Sequence, residues 1–286
     1  DGVPSGIVCL LAYWYSNQSV NVRWHNVVSE KFSVGNGTRQ GGQLSPCLFN
    51  RYIFDILTTI ARTRIVCNIG GNFVNIFAYA DDIVLLAPCW QALQSLLTTL
   101  ENCCINISIL CNTDKTVCMV FNPKQRTRIV CKHFPALILS GCTLRYVQEF
   151  KYLGHIIVNN MLDDLDIQRE IKNLFTRTNI LLRRFKKCSQ AVKVVLFKAY
   201  CVCFYGAALW SHYSVRAFRR LKSCYHKCIK CFFGYKSNHS VTDILFNLSL
   251  PSFDTLIHNS KCILKLQLNS CPNLIISHLN IRTASM

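Results

Sequence analysis

At 286 residues and half apolar composition, the chain is long enough to bury a sizeable core and too apolar to be disordered. Its 18 cysteines follow no secretory signal, so reduced, mostly buried thiols are expected rather than a small disulfide scaffold. The longest apolar stretch at helical spacing, residues 199–210, is too short to span a membrane and reads as a core helix.

In chain order, Ile7 to Tyr15 is apolar and aromatic and predicts a helix packed in the core. Val20 to Trp24 and Lys31 to Val34 alternate and predict strands around a short turn. Gly35-Asn36-Gly37 and Gly41-Gly42 break the pattern. A helix should then start at Ser45-Pro46, with Ser45 accepting from a free first-turn N–H, and run to about Arg62. Its buried face would carry Leu48, Phe49, Tyr52, Ile53, Ile56, Leu57 and Ile60.

Phe73 to Ala87 predicts two buried strands around Ala80-Asp81-Asp82, and Gln91 to about Asn102 a helix. Thr116 to Phe121 predicts a strand, and Leu137–Tyr146 with Phe150–Val158 a further hairpin. After Asn160 the period becomes helical. Asp163 or Asp164 is placed to cap a helix with the stripe Ile167, Ile171, Leu174, Thr178, Leu181 and Phe185. The boundary therefore falls near 160. An α+β part spans 1–160, and a basic helical part spans 161–286.

The net charge of +18 is unevenly placed. Residues 1–170 carry 14 Lys/Arg against 12 Asp/Glu, whereas 171–242 carry 15 Lys/Arg and no acid. An acid-free run of that length is expected to face a polyanion, most simply nucleic acid; the plainer alternative is a solvated basic face. Arg177, Arg183, Arg184, Lys186 and Lys187 are its candidate backbone contacts.

Asp81 and Asp82 pose the sharpest question. Two adjacent carboxylates repel each other and resist desolvation unless a divalent cation offsets the cost, and a tight strand–turn–strand would put them at its tip, facing a metal while the strands stay buried. Mg²⁺ suits such a pair, completed by substrate phosphates. An ordinary Asp-Asp turn has the same spacing. Cys224, His226, Cys228 and Cys231 form a second constellation. On a helix the three cysteines share a face and His226 does not, so core thiols are expected and zinc is not. Cys201, Cys203, Cys103 and Cys104 are expected in the core as well.

Phe77-Ala-Tyr-Ala-Asp81-Asp82 resembles the Tyr-Ala-Asp-Asp box of reverse transcriptases. Residues 37–46, Gly-Thr-Arg-Gln-Gly-Gly-Gln-Leu-Ser-Pro, resemble the Gly-rich box upstream of it. Asn112-Thr-Asp-Lys115-Thr resembles the downstream lysine box, and Phe150-Lys-Tyr152-Leu153-Gly154 the primer-gripping hairpin. The phrasing, with Trp14-Tyr15 and Leu-Phe-Asn after Ser-Pro, is similar to the non-LTR, LINE-type retrotransposon branch.

The resemblance implies a right-hand polymerase palm, an antiparallel sheet with packed helices, followed by an all-helical thumb. It implies an RNA template, a DNA primer, dNTPs, Mg²⁺ or Mn²⁺ and an intracellular, nuclear setting, with no membrane. Asp81 and Asp82 would hold the metal. Arg39, Gln40, Gly41 and Gly42 would meet nucleotide or template, Lys115 the leaving pyrophosphate, and Tyr152, Leu153 and Gly154 the primer.

The chain begins with Asp1 rather than Met, and the fingers and first catalytic-aspartate box of the family are missing. Asp1 and Glu30, the only acids before Thr38, suit neither role of the missing carboxylate, so the chain is expected to be an inactive piece of a polymerase. A non-catalytic nucleic-acid-binding remnant is the alternative. A structural protein leaves both the acid-free segment and the four boxes unaccounted for.

Overall fold

The computed structural model describes residues 2–35, 37, 39–69, 71–122 and 134–277; Asp1, Asn36 and Thr38, named above, lie outside them. The first helix, α1 (Ser5–Ser16), forms where expected, but every residue in it is at least partly exposed. Ile7, Val8, Leu10, Tyr13 and Trp14 face outward, so the expected core packing is not found. The segment is apolar on all sides, and its sequence selects no buried face.

Four short strands follow: β1 (Ser19–Val20), β2 (Arg23–Trp24), β3 (Val27–Val28) and β4 (Phe32–Ser33). β2 pairs with β3 and β1 with β4, all antiparallel, as nested arms of one turn. Next come α2 (Ser45–Tyr52) and α3 (Phe54–Arg62), which together cover the expected helix and end where expected. They are separated at Ile53, where ψ flattens to −4°. Ile53, Ile56 and Ile60 are buried, whereas Tyr52 is half exposed.

Strands β5 (Cys67–Ile69) and β6 (Asn72–Val74) form one hairpin, and β7 (Ile76–Tyr79) and β8 (Asp82–Leu85) another. α4 (Trp90–Asn106) is one turn longer than expected. The expected strand 116–121 shrinks to β9 (Val117–Cys118). Residues 137–158 make two hairpins rather than one: β10 (Ile138–Leu139) with β11 (Cys142–Thr143), and β13 (Glu149–Tyr152) with β14 (His155–Val158). Between them β12 (Arg145–Tyr146) pairs in parallel with β9. Gln94 on α4 ties the first of these hairpins down. Its side-chain amide donates to the Ile138 carbonyl and accepts from the Ile138 N–H, both at 2.8 Å.

The rest is helical: α5 (Asp164–Phe185), α6 (Gln190–Cys201), α7 (Val215–Phe233), α8 (Val241–Asn247) and α9 (Phe253–Asn269). The α+β class holds, but among the described residues the strands pair only two by two, and no continuous sheet forms. No helix among them is long and apolar enough to cross a membrane.

Two compact units result, one of Asp1–Arg64 with Asn75–Leu86 and one of Ile65–Val74 with Ala87–Met286. The second holds the largest core. There α5 contributes Ile167, Leu174 and Leu181, α6 Phe197 and Cys201, and α7 Leu221, Tyr225, Cys228 and Phe232. Ile171 and Phe185 border it and Thr178 is buried, so the expected stripe of α5 faces this core.

Residues 199–210 depart from expectation. α6 ends at Cys201, and the chain turns through Gly206 (φ +80°) into a single 3₁₀ turn at Ala207–Leu209. A Cβ on Gly206 would stand 2.8 Å from His155 Nδ1, so the bend needs glycine both for its φ and for this close approach. Cys224 and Cys228 are buried with Sγ atoms 4.0 Å apart, but Cys231 and Cys203 are exposed, against the core placement expected of them. Burial pushes the Cys118 and Cys201 thiols up to about 11, which keeps them protonated and poor nucleophiles.

Candidate functional site

In the first unit, Asp81 and Asp82 sit at the tip of the β7–β8 hairpin. Tyr79 and Asp82 face each other in register, leaving Ala80-Asp81 as a two-residue loop. Ala80 is left-handed (φ +51°), a conformation that costs an L-residue about 1–2 kcal/mol. Both aspartates lie at the expected tip and are exposed, but the flanking strands are not buried as expected: Phe77 and Tyr79 are 42% and 64% exposed. Solvent removes the desolvation cost and weakens their repulsion, and it leaves four carboxylate oxygens accessible to a cation.

The base of this hairpin is anchored. The Leu86 N–H donates to the Asn75 carbonyl at 2.8 Å. Asn75 is 3% exposed, and its Nδ2 donates to the Ile60 carbonyl (2.6 Å) and Thr63 Oγ1 (3.1 Å) at the end of α3. The sequence reading passed over Asn75, although a polar residue directly before an apolar strand was a signal.

The Gly-rich box folds as a tight turn into α2. The Arg39 carbonyl accepts from the Gly42 N–H at 3.1 Å and from Ser45 Oγ at 2.6 Å. Ser45 therefore closes the turn instead of capping the helix, whose cap residue is Leu44. A Cβ on Gly42 would lie 2.7 Å from Ser45 Oγ, so this close approach requires glycine there. Gly41 is left-handed at φ +78°, and Arg39 and Gln40 are exposed.

In the second unit, Lys115 is exposed in the loop before β9. Its N–H donates to Asn112 Oδ1 at 3.1 Å, and Thr116 Oγ1 donates to the Asn112 carbonyl at 2.7 Å. Tyr152 and His155 face each other in register, so Leu153-Gly154 is a two-residue loop. Both loop residues are left-handed, Leu153 at φ +46° and Gly154 at +82°. Tyr205 Oη donates to the Leu153 carbonyl at 2.7 Å.

Below that turn lies a cluster of charges that the sequence reading did not single out. Asp166 and Glu170, on α5, are fully buried. Arg169 clamps Asp166 with Nε and Nη2 (2.6 and 3.1 Å), reaches Glu170 through Nη1 (3.1 Å) and donates to the Tyr205 carbonyl (3.0 Å). Asp166 also accepts from the Ile156 N–H at 2.9 Å and Trp210 Nε1 at 2.8 Å. Burial alone would push the Asp166 carboxyl up; His155, Arg169 and these N–H donors outweigh it and hold it well below the usual carboxylate range.

His155 lies 3.0 Å from Asp166 Oδ2 and 3.9 Å from Asp163 Oδ1. The two carboxylates, Asp163 first, raise it to about 9. Acids four apart at 166 and 170, interleaved with the apolar stripe at 167, 171 and 174, were the signal that could have found this cluster.

The capping reading for α5 is corrected as well. Asp163 Oδ2 accepts from the Ser211 and His212 N–H groups, both at 2.8 Å, and Asp164 Oδ1 from the Ser214 N–H at 2.7 Å. These acids hold the segment entering α7, not their own helix. Arg183, Arg184, Lys186 and Lys187 are exposed at the far end of α5. Arg177 differs from them. Its Nη2 pairs with Glu170 and its Nε is buried, so the guanidinium turns inward.

The four boxes stand in the chain in the order expected from the resemblance, and comparison with known proteins agrees on the family. Residues 3–157 match the family model described as reverse transcriptase (RNA-dependent DNA polymerase), more than half of the chain, and the chain belongs to that family. It is 31% identical over 156 residues to a protein of Drosophila melanogaster named as the retrovirus-related Pol polyprotein from type-2 retrotransposable element R2DM, over 54% of this chain and 15% of that one. It is 24% identical over 261 residues to the RNA-directed DNA polymerase from mobile element jockey of Drosophila funebris, over 86% of this chain and 27% of that one. The jockey polymerase of Drosophila melanogaster is 23% identical over 252 residues, or 84% and 26%. All three are mobile-element proteins, in keeping with the LINE-type branch that the motifs resemble. The chain spans about a quarter or less of the length of these relatives.

Proposed function

We propose that this chain is the palm (1–160) and thumb (161–286) of a LINE-type RNA-directed DNA polymerase, which extends a DNA primer along an RNA template from dNTPs inside the nucleus. The observation that carries the reading is the exposed Asp81-Asp82 tip on a hairpin pinned by Asn75, in a chain of the reverse transcriptase family.

The donor set fits Mg²⁺ or Mn²⁺. Two adjacent carboxylates offer hard oxygens in an open position, and phosphates and water can complete the shell. A metal pair held by Asp81 and Asp82 would supply activation of the primer 3′-hydroxyl and neutralisation of the leaving pyrophosphate. The other roles fall to the chain's own side chains. Arg39 and Gln40, on the turn closed by Ser45, meet nucleotide or template phosphate and base edges. Gly41 and Gly42 let the backbone come close to the incoming base pair. Lys115 is exposed, its loop held by Asn112, and donates a proton to the leaving pyrophosphate. Tyr152, Leu153 and Gly154 grip the primer terminus. Arg183, Arg184, Lys186 and Lys187 hold the sugar–phosphate backbone without reading sequence.

A specific observation favours the second reading, a nucleic-acid-binding remnant, for this chain by itself. Among the described residues no group of three His, Cys, Asp or Glu is placed to hold a metal ion. Two-metal chemistry draws on carboxylates from more than one strand, so residues 1–286 alone should bind primer and template without extending them. Primer extension on an RNA template with Mg²⁺, with and without Asp82→Asn, tests this. Templated incorporation that Asp82→Asn abolishes would show that the chain completes its own site.

A further inference from the structure

We propose that Tyr205 is a positioning residue that locks the Leu153-Gly154 turn to α5, so that the primer-gripping hairpin and the helical region behave as one piece; this rests on the primer-grip reading given above.

The turn needs a lock. Leu153 has a branched side chain at φ +46°, a conformation that persists where surrounding contacts enforce it. The enforcing contact reaches across 52 residues of sequence, from Tyr205 Oη to the Leu153 carbonyl at 2.7 Å. The Tyr205 ring also lies against the turn. A Cβ on Gly154 would stand 2.9 Å from Tyr205 Cε1, so only glycine lets the ring seat there.

Tyr205 is itself held on its other side. Arg169 donates to its carbonyl and places its guanidinium 5.9 Å from the centre of its ring. Arg169 is clamped in turn by buried Asp166, and Asp166 accepts from the Ile156 N–H, on the strand leaving the turn. The contacts thus close a circuit: turn, Tyr205, Arg169, Asp166, and back into the hairpin at Ile156. A tyrosine half exposed to water would otherwise gain little from a single hydrogen bond. Here the circuit pre-aligns both partners, and the bond costs little additional ordering.

Tyr205→Phe separates this role from general stability, because it keeps the ring against Gly154 and under Arg169 and removes only the hydroxyl. Two quantities are read on residues 1–286. The first is hydrogen exchange at the amides of 153–156. The second is the ratio of affinities for an RNA–DNA hybrid with a recessed DNA 3′ end and for a blunt hybrid of equal length. In Tyr205→Phe, exchange at the turn should speed up by about fivefold, the loss of one net hydrogen bond. The recessed-end ratio should fall by a similar factor, with blunt-hybrid affinity unchanged.

Unchanged exchange at the turn overturns the proposal. Faster exchange with an unchanged recessed-end ratio overturns the link to the primer, as does an equal loss for both hybrids. A wild-type chain with no recessed-end preference overturns the primer-grip reading instead, and the exchange result still decides whether Tyr205 locks the turn.

Discussion

Arg169 neutralises two fully buried carboxylates at once, Asp166 and Glu170, and the fold should depend on it. Arg169→Met keeps much of the apolar stem and removes the charge. Breaking a buried pair by deleting one partner costs about 3–5 kcal/mol, because the other charge is left uncompensated. Asp166 keeps His155, an amide and Trp210, and Glu170 keeps Arg177, so the lower end, about 3 kcal/mol, applies. With a urea dependence of about 2 kcal/mol per molar, the midpoint should fall by about 1.5 M.

Trp210 is a suitable reporter. It is 1% exposed and donates to Asp166, while Trp14, Trp24 and Trp90 are 38% exposed or more, so the shift in emission on unfolding reports this core. The deficit should narrow on acidification. The wild type loses stability as the depressed Asp166 carboxylate protonates, whereas in the variant protonation relieves an unpaired buried charge. A loss under about 0.5 kcal/mol, the size of an ordinary surface change, or a deficit that does not narrow as pH falls below about 4, would refute the reasoning.

Gly206→Ala should destabilise by about 2 kcal/mol, because φ +80° and the 2.8 Å approach to His155 both oppose a Cβ; the urea midpoint reads it. His155 titrates near 9 when folded and 6.5 when unfolded, so its contribution should be full below 6.5 and disappear as pH rises toward 9. His155→Gln should flatten that part of the stability curve, and NMR titration of the ring checks the folded value. Replacing Arg183, Arg184, Lys186 and Lys187 with Gln should lower the log–log salt slope of duplex binding by about 3. The same change should leave the unfolding midpoint in place, since all four side chains are exposed. Asp81→Asn should weaken Mn²⁺ binding measured by calorimetry, and unchanged binding would remove that carboxylate from the metal role.

Much of this was readable along the chain wherever local chemistry decides. The stripe of α5 lay in its 3.6-residue period, and the two-residue loop of Ala80-Asp81 in the apolar runs that flank it. What escaped was set by partners far away in sequence. Where a core helix was expected, Gly206 turns at φ +80° and lets His155, much earlier in the sequence, approach its backbone closely. Asp163 and Asp164 cap residues 211–214 rather than their own helix. Arg177, one of fifteen cations in an acid-free run, turns inward to a glutamate one residue before that run begins. The apolar strands beside Asp81 and Asp82 were expected to be buried, yet among the described residues β7 and β8 pair only with each other and leave Phe77 and Tyr79 exposed.

The way the backbone passes between the two units has a consequence for synthesis. The chain leaves the first unit after Arg64, returns at Asn75 and leaves again after Leu86. A cut after Leu86 leaves the first unit whole but takes Ile65–Val74 from the second, so no single cut separates the two, and limited proteolysis should not yield two stable contiguous fragments. During translation the part of the first unit up to Arg64 emerges before the strand pair that bears the aspartates, and before Asn75 can fasten α3 to it. That part must wait for a later segment, with the ten residues Ile65–Val74 of the other unit made in between, before its carboxylates arrive.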